Sequence, residues 1–209
     1  MVILNITAIK KQKGKKGEIS IFVDGKYSFS VREEDYFKLC IYPDMEITDD
    51  EIHRLKNISS LNEARAAALS YIELRVRCKK DVETKLRTRG YRQNIIKTVI
   101  DDLVKNKYID DEIFAKKYIN DRNKLKPRSK MMLKYELLYK GIDEDIIDRQ
   151  LAEVDIDEQA TAYMLAQKKF GKYDVGSIQV RKKLIMFLKR RGYSDEIIKI
   201  TIDSLMGAD

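Results

Sequence analysis

Histidine occurs once in this chain of 209 residues, as His53, and tryptophan not at all. One imidazole removes most catalytic designs built on histidine and most histidine-rich metal sites. Cysteine occurs twice, as Cys40 and Cys78, which makes neither a disulfide framework nor a C-x-x-C pair and points to a reducing compartment. No apolar run approaches the roughly 20 residues that a membrane span needs. Residues 1–9 lack a basic stretch and a small-residue cleavage site, so they do not read as a signal peptide, and the expected location is cytoplasmic. Gly14 and Gly17 do not have the spacing of a phosphate-binding loop. The carboxylate pairs Asp101-Asp102 and Asp110-Asp111 sit at adjacent positions, which diverge by about 100° on a helix. They read as exposed face or as helix caps, with Asp110 or Asp111 capping a helix that begins near Glu112. His53 reads as a helix-surface residue. Cys78 lies among Arg75, Arg77, Lys79 and Lys80, cations that favour a thiolate, but a helix-boundary role accounts for it better. The expectation is a non-enzymatic protein with no catalytic residue, no cofactor and no metal.

Charge is what the chain has in excess. Charged residues make up 36%, with 42 Lys+Arg against 34 Asp+Glu, a net charge of +8 and a pI near 9.2. Typical soluble domains carry about a quarter. The 44% of hydrophobic residues is too regular for disorder, and the length is sufficient for a buried core. Residues 1–59 read as a β-rich module with short helices. Residues 2–10 are mostly apolar and β-branched, and Asp24-Gly25 in the next apolar run is a two-residue hairpin signal. We expect three antiparallel strands, then short helices near 32–39 and 49–56, broken by Tyr42-Pro43-Asp44.

Beyond residue 59 the strand signals vanish. Ser60-Leu61-Asn62-Glu63 has the pattern of a capping box, and an alanine-rich helix is expected to begin there. A repeat then organises the chain. Leu86-Arg87-Thr88-Arg89-Gly90-Tyr91 matches Leu137-Leu138-Tyr139-Lys140-Gly141-Ile142 and Leu188-Lys189-Arg190-Arg191-Gly192-Tyr193, and the glycines are 51 residues apart each time. Ile95-Ile96, Ile146-Ile147 and Ile197-Ile198 follow at one offset, and Leu103, Val154 and Leu205 at another. Glycine after an amphipathic run is the residue that takes a left-handed conformation and ends a helix. Asp143 and Ser194 follow as N-cap candidates. With upstream helices near 61–76, 111–125 and 157–170, this gives three tandem three-helix repeats over 60–111, 112–157 and 158–209. The predicted fold is mainly α, an elongated curved array preceded by the small N-terminal module.

Charge is sorted inside each repeat. Residues 75–92, 116–140 and 168–191 carry net +6, +7 and +8, whereas 94–113, 141–158 and 192–209 carry −2, −7 and −3. Solvated helix surface laced with salt bridges would give this pattern in one repeat. Its recurrence in three favours a binding surface: a basic stripe for phosphates or an acidic protein, beside an acidic one. The candidate contacts are Arg75, Arg77, Lys79, Lys80, Arg87 and Arg89 in the first repeat, Lys124, Lys126, Arg128, Lys130 and Lys134 in the second, and Arg181, Lys182 and Lys183 in the third. The lysine-rich stretch 10–16 is either a phosphate-touching wing or a solvated turn.

Three motifs resemble the RecX family of recombination regulators. They are Ala68-Leu69-Ser70-Tyr71-Ile72-Glu73-Leu74-Arg75-Val76-Arg77-Cys78, then Tyr108-Ile109-Asp110-Asp111-Glu112-Ile113-Phe114-Ala115 with Tyr118 and Arg122, and Leu133-Lys134-Tyr135-Glu136-Leu137-Leu138-Tyr139-Lys140-Gly141-Ile142. Cys78 stands where the family usually has a small hydroxyl residue, and Pro127-Arg128-Ser129 replaces a glycine-containing turn. The resemblance implies a non-enzymatic protein that binds the RecA filament on single-stranded DNA along its groove. It implies restraint of RecA ATPase, strand exchange and the coprotease activity of the SOS response. No repeat shows a heptad seam, so the expected state is a monomer. A direct DNA-binding helical protein, using the same stripe and the lysine-rich stretch, is the alternative from another class.

Overall fold

A computed structural model of the chain describes residues 3–12 and 17–207. Among them the elements run β1 (Ile3–Lys11), β2 (Glu18–Val23), β3 (Lys26–Arg32), α1 (Glu33–Lys38), β4 (Glu46–Thr48), and then nine more helices. These are α2 (Asp49–Glu73), α3 (Lys79–Thr88), α4 (Gln93–Lys105), α5 (Asp111–Leu125), α6 (Lys130–Tyr139), α7 (Glu144–Glu153), α8 (Glu158–Phe170), α9 (Ile178–Lys189) and α10 (Asp195–Met206). The mainly helical class and the three-helix grouping are as the repeat predicts. Residues 13–16 of the lysine-rich stretch lie outside the described residues.

The chain divides into two units. The first holds the residues up to Val76 together with Asp81–Ile109. Its sheet is antiparallel in the order β3-β2-β1-β4. Ile6, Ile19, Ile21, Phe29, Val31 and Ile47 are buried from its strands. At the expected hairpin, Asp24 and Gly25 both have positive φ, 47° and 76°, as a mirror-image turn requires. The Asp24 carboxylate accepts from Asn5 N at 2.9 Å, and Thr7 Oγ1 accepts from Gly25 N at 2.8 Å, so the turn is tied to β1. The fourth strand was not expected, because three residues are too few to show an alternation.

One helix replaces the two expected between 49 and 76. α2 runs unbroken for 25 residues. Its capping box is Thr48 with Glu51: Glu51 N donates to Thr48 Oγ1 at 3.3 Å and Thr48 N to Glu51 Oε2 at 2.8 Å. The Ser60…Glu63 pattern lies inside the helix. Its neighbour Ser59 is buried and donates its hydroxyl to Ser30 O at 2.8 Å, which ties α2 to β3. No glycine or proline lies between 49 and 73 to stop the helix. Ala64, Ala67 and Ala68 are buried against Ile96, Val99, Ile100 and Leu103, where small side chains let α2 and α4 come close.

The second unit holds Arg77–Lys80 and the residues from Asp110 onward. Leu133, Leu137 and Ile147 centre one of its cores, and Leu184, Phe187 and Leu188 the other. A fully buried leucine or isoleucine contributes about 2 kcal/mol, so these few residues carry much of each repeat.

α3, α6 and α9 end alike. Gly90, Gly141 and Gly192 have φ of 84°, 75° and 82°. Behind each glycine the next amide reaches back five residues: Tyr91 N to Leu86 O, Ile142 N to Leu137 O and Tyr193 N to Leu188 O. This is the Schellman pattern. The glycines differ in what surrounds them. A Cβ on Gly90 would meet nothing within 4 Å, whereas one on Gly192 would lie 2.5 Å from Ser129 Oγ and 2.9 Å from Met132 Cβ. Gly90→Ala should therefore cost only the left-handed strain, about 1–2 kcal/mol. Gly192→Ala should cost roughly 2 kcal/mol more through the clash. Urea unfolding followed by circular dichroism measures both, and equal losses would contradict this reading of the Gly192 contact.

Candidate functional site

The basic stripe falls into groups once the fold places its members. In the first unit Arg75 is exposed between α2 and α3, and Arg87 and Arg89 are exposed at the closing turn of α3. In the second unit Lys79, Lys80, Lys124, Lys126, Lys182 and Lys183 are exposed, and Arg128, Lys130, Lys134 and Arg181 are half-buried. Arg77 is only 8% exposed, so its side chain contributes little to any outer surface.

Pairing separates them further. Lys134 Nζ lies 2.7 and 2.9 Å from the two carboxylate oxygens of Asp148 and 2.8 Å from Glu144 Oε1. Those hydrogen bonds, first Asp148 and then Glu144, raise its pKa. Part of the basic face of α6 is thus held by the acidic helix α7 of the same repeat. Arg128 Nε lies 3.0 Å from Glu136 Oε1. Lys80 Nζ donates to Tyr139 O at 2.7 Å and sits 5.2 Å from the Tyr139 ring centroid. Arg181 Nη2 lies 3.3 Å from Met206 Sδ. Arg75, Arg87, Arg89, Lys79, Lys124, Lys126, Lys130, Lys182 and Lys183 have no side-chain ion pair among the described residues. They are the cations that remain available to an outside anion.

A second feature is the seat of the middle helices of the first two repeats, α3 and α6. The amide of Lys79, first residue of α3, donates to Asp111 Oδ1 at 2.9 Å. The amide of Lys130, first residue of α6, donates to Glu158 Oε1. Asp111 and Glu158 are the first residues of α5 and α8, so an acidic residue opening one repeat caps the middle helix of the repeat before it. Cys78 and Ser129, at equivalent positions, reach equivalent turns. The Cys78 thiol lies 3.6 Å from Lys140 O, and Ser129 N donates to Arg191 O at 3.1 Å. Ser129 also caps α6, accepting from Met132 N at 3.1 Å. Of the expected pair, Asp110 caps α5, accepting from Glu112 N and Ile113 N at 2.9 and 3.1 Å, and Asp111 faces α3 instead. Cys78 is fully buried in this seat, and His53 is exposed on α2.

Glu136 of α6 forms the centre of a half-buried cluster. Tyr118 OH donates to its Oε2 at 2.7 Å, and Arg122 Nε lies 3.1 Å from the same oxygen. Arg122 also donates through Nε and Nη2 to Tyr118 OH, at 3.1 and 2.9 Å. Burial, with the hydrogen bond to Glu136 second, raises the Tyr118 pKa above its ordinary 10.0.

Models of four domains of one family match consecutive parts of the chain. The Regulatory protein RecX N-terminal domain matches residues 4–48. The first, second and third three-helix domains of RecX match 64–103, 110–151 and 156–202. Proteins named Regulatory protein RecX are similar over nearly the whole length. That of Clostridium botulinum strain Eklund 17B is 32% identical, covering 93% of this chain and 92% of the relative. That of Clostridium beijerinckii is 30% identical, covering 98% and 97%. The chain belongs to the RecX family. A crystal structure of regulatory protein RecX shares the fold at TM-score 0.69, with 22% identity, covering 96% of this chain and 99% of that one. The RecX of Lactobacillus salivarius superposes at TM-score 0.59 with 27% identity, covering 70% and 96%.

In this RecX-family chain, the motif residues Tyr118 and Arg122 build a strut between α5 and α6. Sequence reasoning missed that role and the seat of the middle helices, since both depend on side chains far apart in the chain. Tyr118→Phe should cost about 1–2 kcal/mol at neutral pH, because Glu136 and Arg122 lose a buried partner. The pH dependence has a definite sign. A tyrosine pKa raised in the fold stabilises fully below pH 10 and loses that contribution as pH rises through the folded value. The stability gap between wild type and Tyr118→Phe should therefore narrow above pH 10. Urea titrations at pH 8 and above 10 check it, and a constant gap contradicts it.

Proposed function

We propose that this RecX-family protein binds the RecA filament on single-stranded DNA and restrains its ATPase, strand exchange and SOS coprotease activity. It does so as a non-enzymatic monomer in the bacterial cytoplasm. The observation that carries the reading is the set of exposed, unpaired cations recurring along the repeats: Arg87 and Arg89 at the end of α3, Lys124 and Lys126 at the end of α5, Lys182 and Lys183 on α9. A filament of protein on DNA offers both carboxylates and phosphates, and arginine binds either in a bidentate manner. The acidic first turns of α7 and α10, with Glu144-Asp145 and Asp195-Glu196, argue against wrapping bare DNA as the main task. Family membership favours the filament regulator over the direct DNA binder.

ATP turnover by same-species RecA on single-stranded DNA tests this. The wild-type chain should lower turnover at a small fraction of the RecA concentration. Arg87→Glu with Arg89→Glu and Lys182→Glu with Lys183→Glu should raise the amount needed by about tenfold or more, since each places like charges together. Lys97→Glu with Lys199→Glu makes the charge change of either pair on the exposed faces of α4 and α10, and should act like wild type. Unchanged turnover with the wild-type chain would sink the proposal. Equal effects of both kinds of reversal would remove the stripe from it.

A further inference from the structure

Four exposed apolar side chains run down one face of α6. Met131, Tyr135, Leu138 and Tyr139 are 54, 61, 38 and 83% exposed. They sit at i, i+4, i+7 and i+8, so they share a face, and Leu133 and Leu137 are fully buried on the opposite side. The repeat supplies an internal control. At the equivalent positions, 51 residues earlier and later, α3 has Lys80, Thr84, Arg87 and Thr88, and α9 has Lys182, Met186, Lys189 and Arg190. All of these are exposed as well. Two helices of the same design thus leave this face polar, basic or nearly so. The fold does not require an apolar stripe, and the second repeat has one.

We infer that this face of α6 docks a protein surface whose apolar side chains are rimmed by carboxylates, and that it is where the second repeat meets the filament protein. The inference rests on the filament-binding reading above. Tyrosine and methionine are enriched at protein interfaces, and tyrosines are frequent anchors there. The charge around the stripe sets the sign of the partner. Lys130 precedes Met131 at one end, and at the other Lys80, which gives one donor to Tyr139 O but has no carboxylate partner among the described residues, sits over the Tyr139 ring. Stacking of single-stranded bases is less well served. Met131 and Leu138 offer no aromatic plane, and Lys134, the cation within the span of the stripe, is held by Asp148 and Glu144.

The test uses the full chain carrying Tyr135→Thr with Tyr139→Thr, the residues α3 has at these positions, and separately Met131→Lys, the residue of both other repeats. Circular dichroism confirms the fold of each. Binding is read by fluorescence anisotropy against RecA assembled on single-stranded DNA and against the same DNA bare. The double variant should bind the filament at least about tenfold more weakly, and Met131→Lys should weaken it in the same direction, with affinity for bare DNA unchanged. Wild-type affinity of both variants for the filament would overturn the inference. So would a parallel loss on bare DNA, which would make the tyrosines a stacking platform. A wild-type dimer that either variant returns to monomer in sedimentation would also overturn it, by giving the stripe to a second copy. If the wild-type chain itself fails to bind the filament, the functional reading falls first and this inference falls with it.

Discussion

The first turn of a helix leaves its amide groups without partners, and here the first amides of α3 and α6 find theirs on the following repeat. Lys79 N meets Asp111, and Lys130 N meets Glu158. A cap of this kind is worth about 1 kcal/mol, which is modest beside the buried cores. Its effect on specificity is larger, because it also selects which residue types can stand nearby. The closing turn of the next middle helix must come close: a Cβ on Gly141 would meet Lys80 Cδ at 3.0 Å, and one on Gly192 would meet Ser129. These glycines therefore answer two demands at once, a left-handed φ and a close neighbour. Gly90, with open space around it, answers only the first.

Charge sorting has a related double use. Some cations of the basic faces hold the fold: Lys134 on α7, and Arg122 with Arg128 on Glu136. Such pairs at partly exposed sites add little stability individually, but they fix which side chains are spent internally. What remains is a smaller set at helix ends and on α9. The functional proposal depends on that remainder and not on net charge, which is why the total of +8 is a weak guide to the partner.

The legibility of the fold followed the range of the interactions. The helix ends at Gly90, Gly141 and Gly192 could be read from the chain because the Schellman motif is local, and its glycine and flanking apolar residues recur at a fixed spacing. The start of α2 could not, because Thr48…Glu51 and Ser60…Glu63 are equally good capping boxes as written. The hydrogen bond from Ser59 to Ser30 and the unbroken run of helix formers settle it in three dimensions. Charge could be read, but pairing could not: Arg77 is buried, and Arg128 is turned to Glu136. The stripe on α6 was present in the sequence but unmarked, since Met131, Tyr135, Leu138 and Tyr139 are also what a core-facing helix would carry. Only burial shows that Leu133 and Leu137 took that face.

On the proposed reading, this RecX-family chain meets the RecA filament through cations its own fold leaves unpaired. Electron cryomicroscopy of the chain on RecA assembled with single-stranded DNA tests it most directly. Arg87, Arg89, Lys182 and Lys183 should lie against RecA carboxylates or DNA phosphates, while Lys134 keeps Asp148. Density for the chain with those four side chains turned to solvent would contradict it.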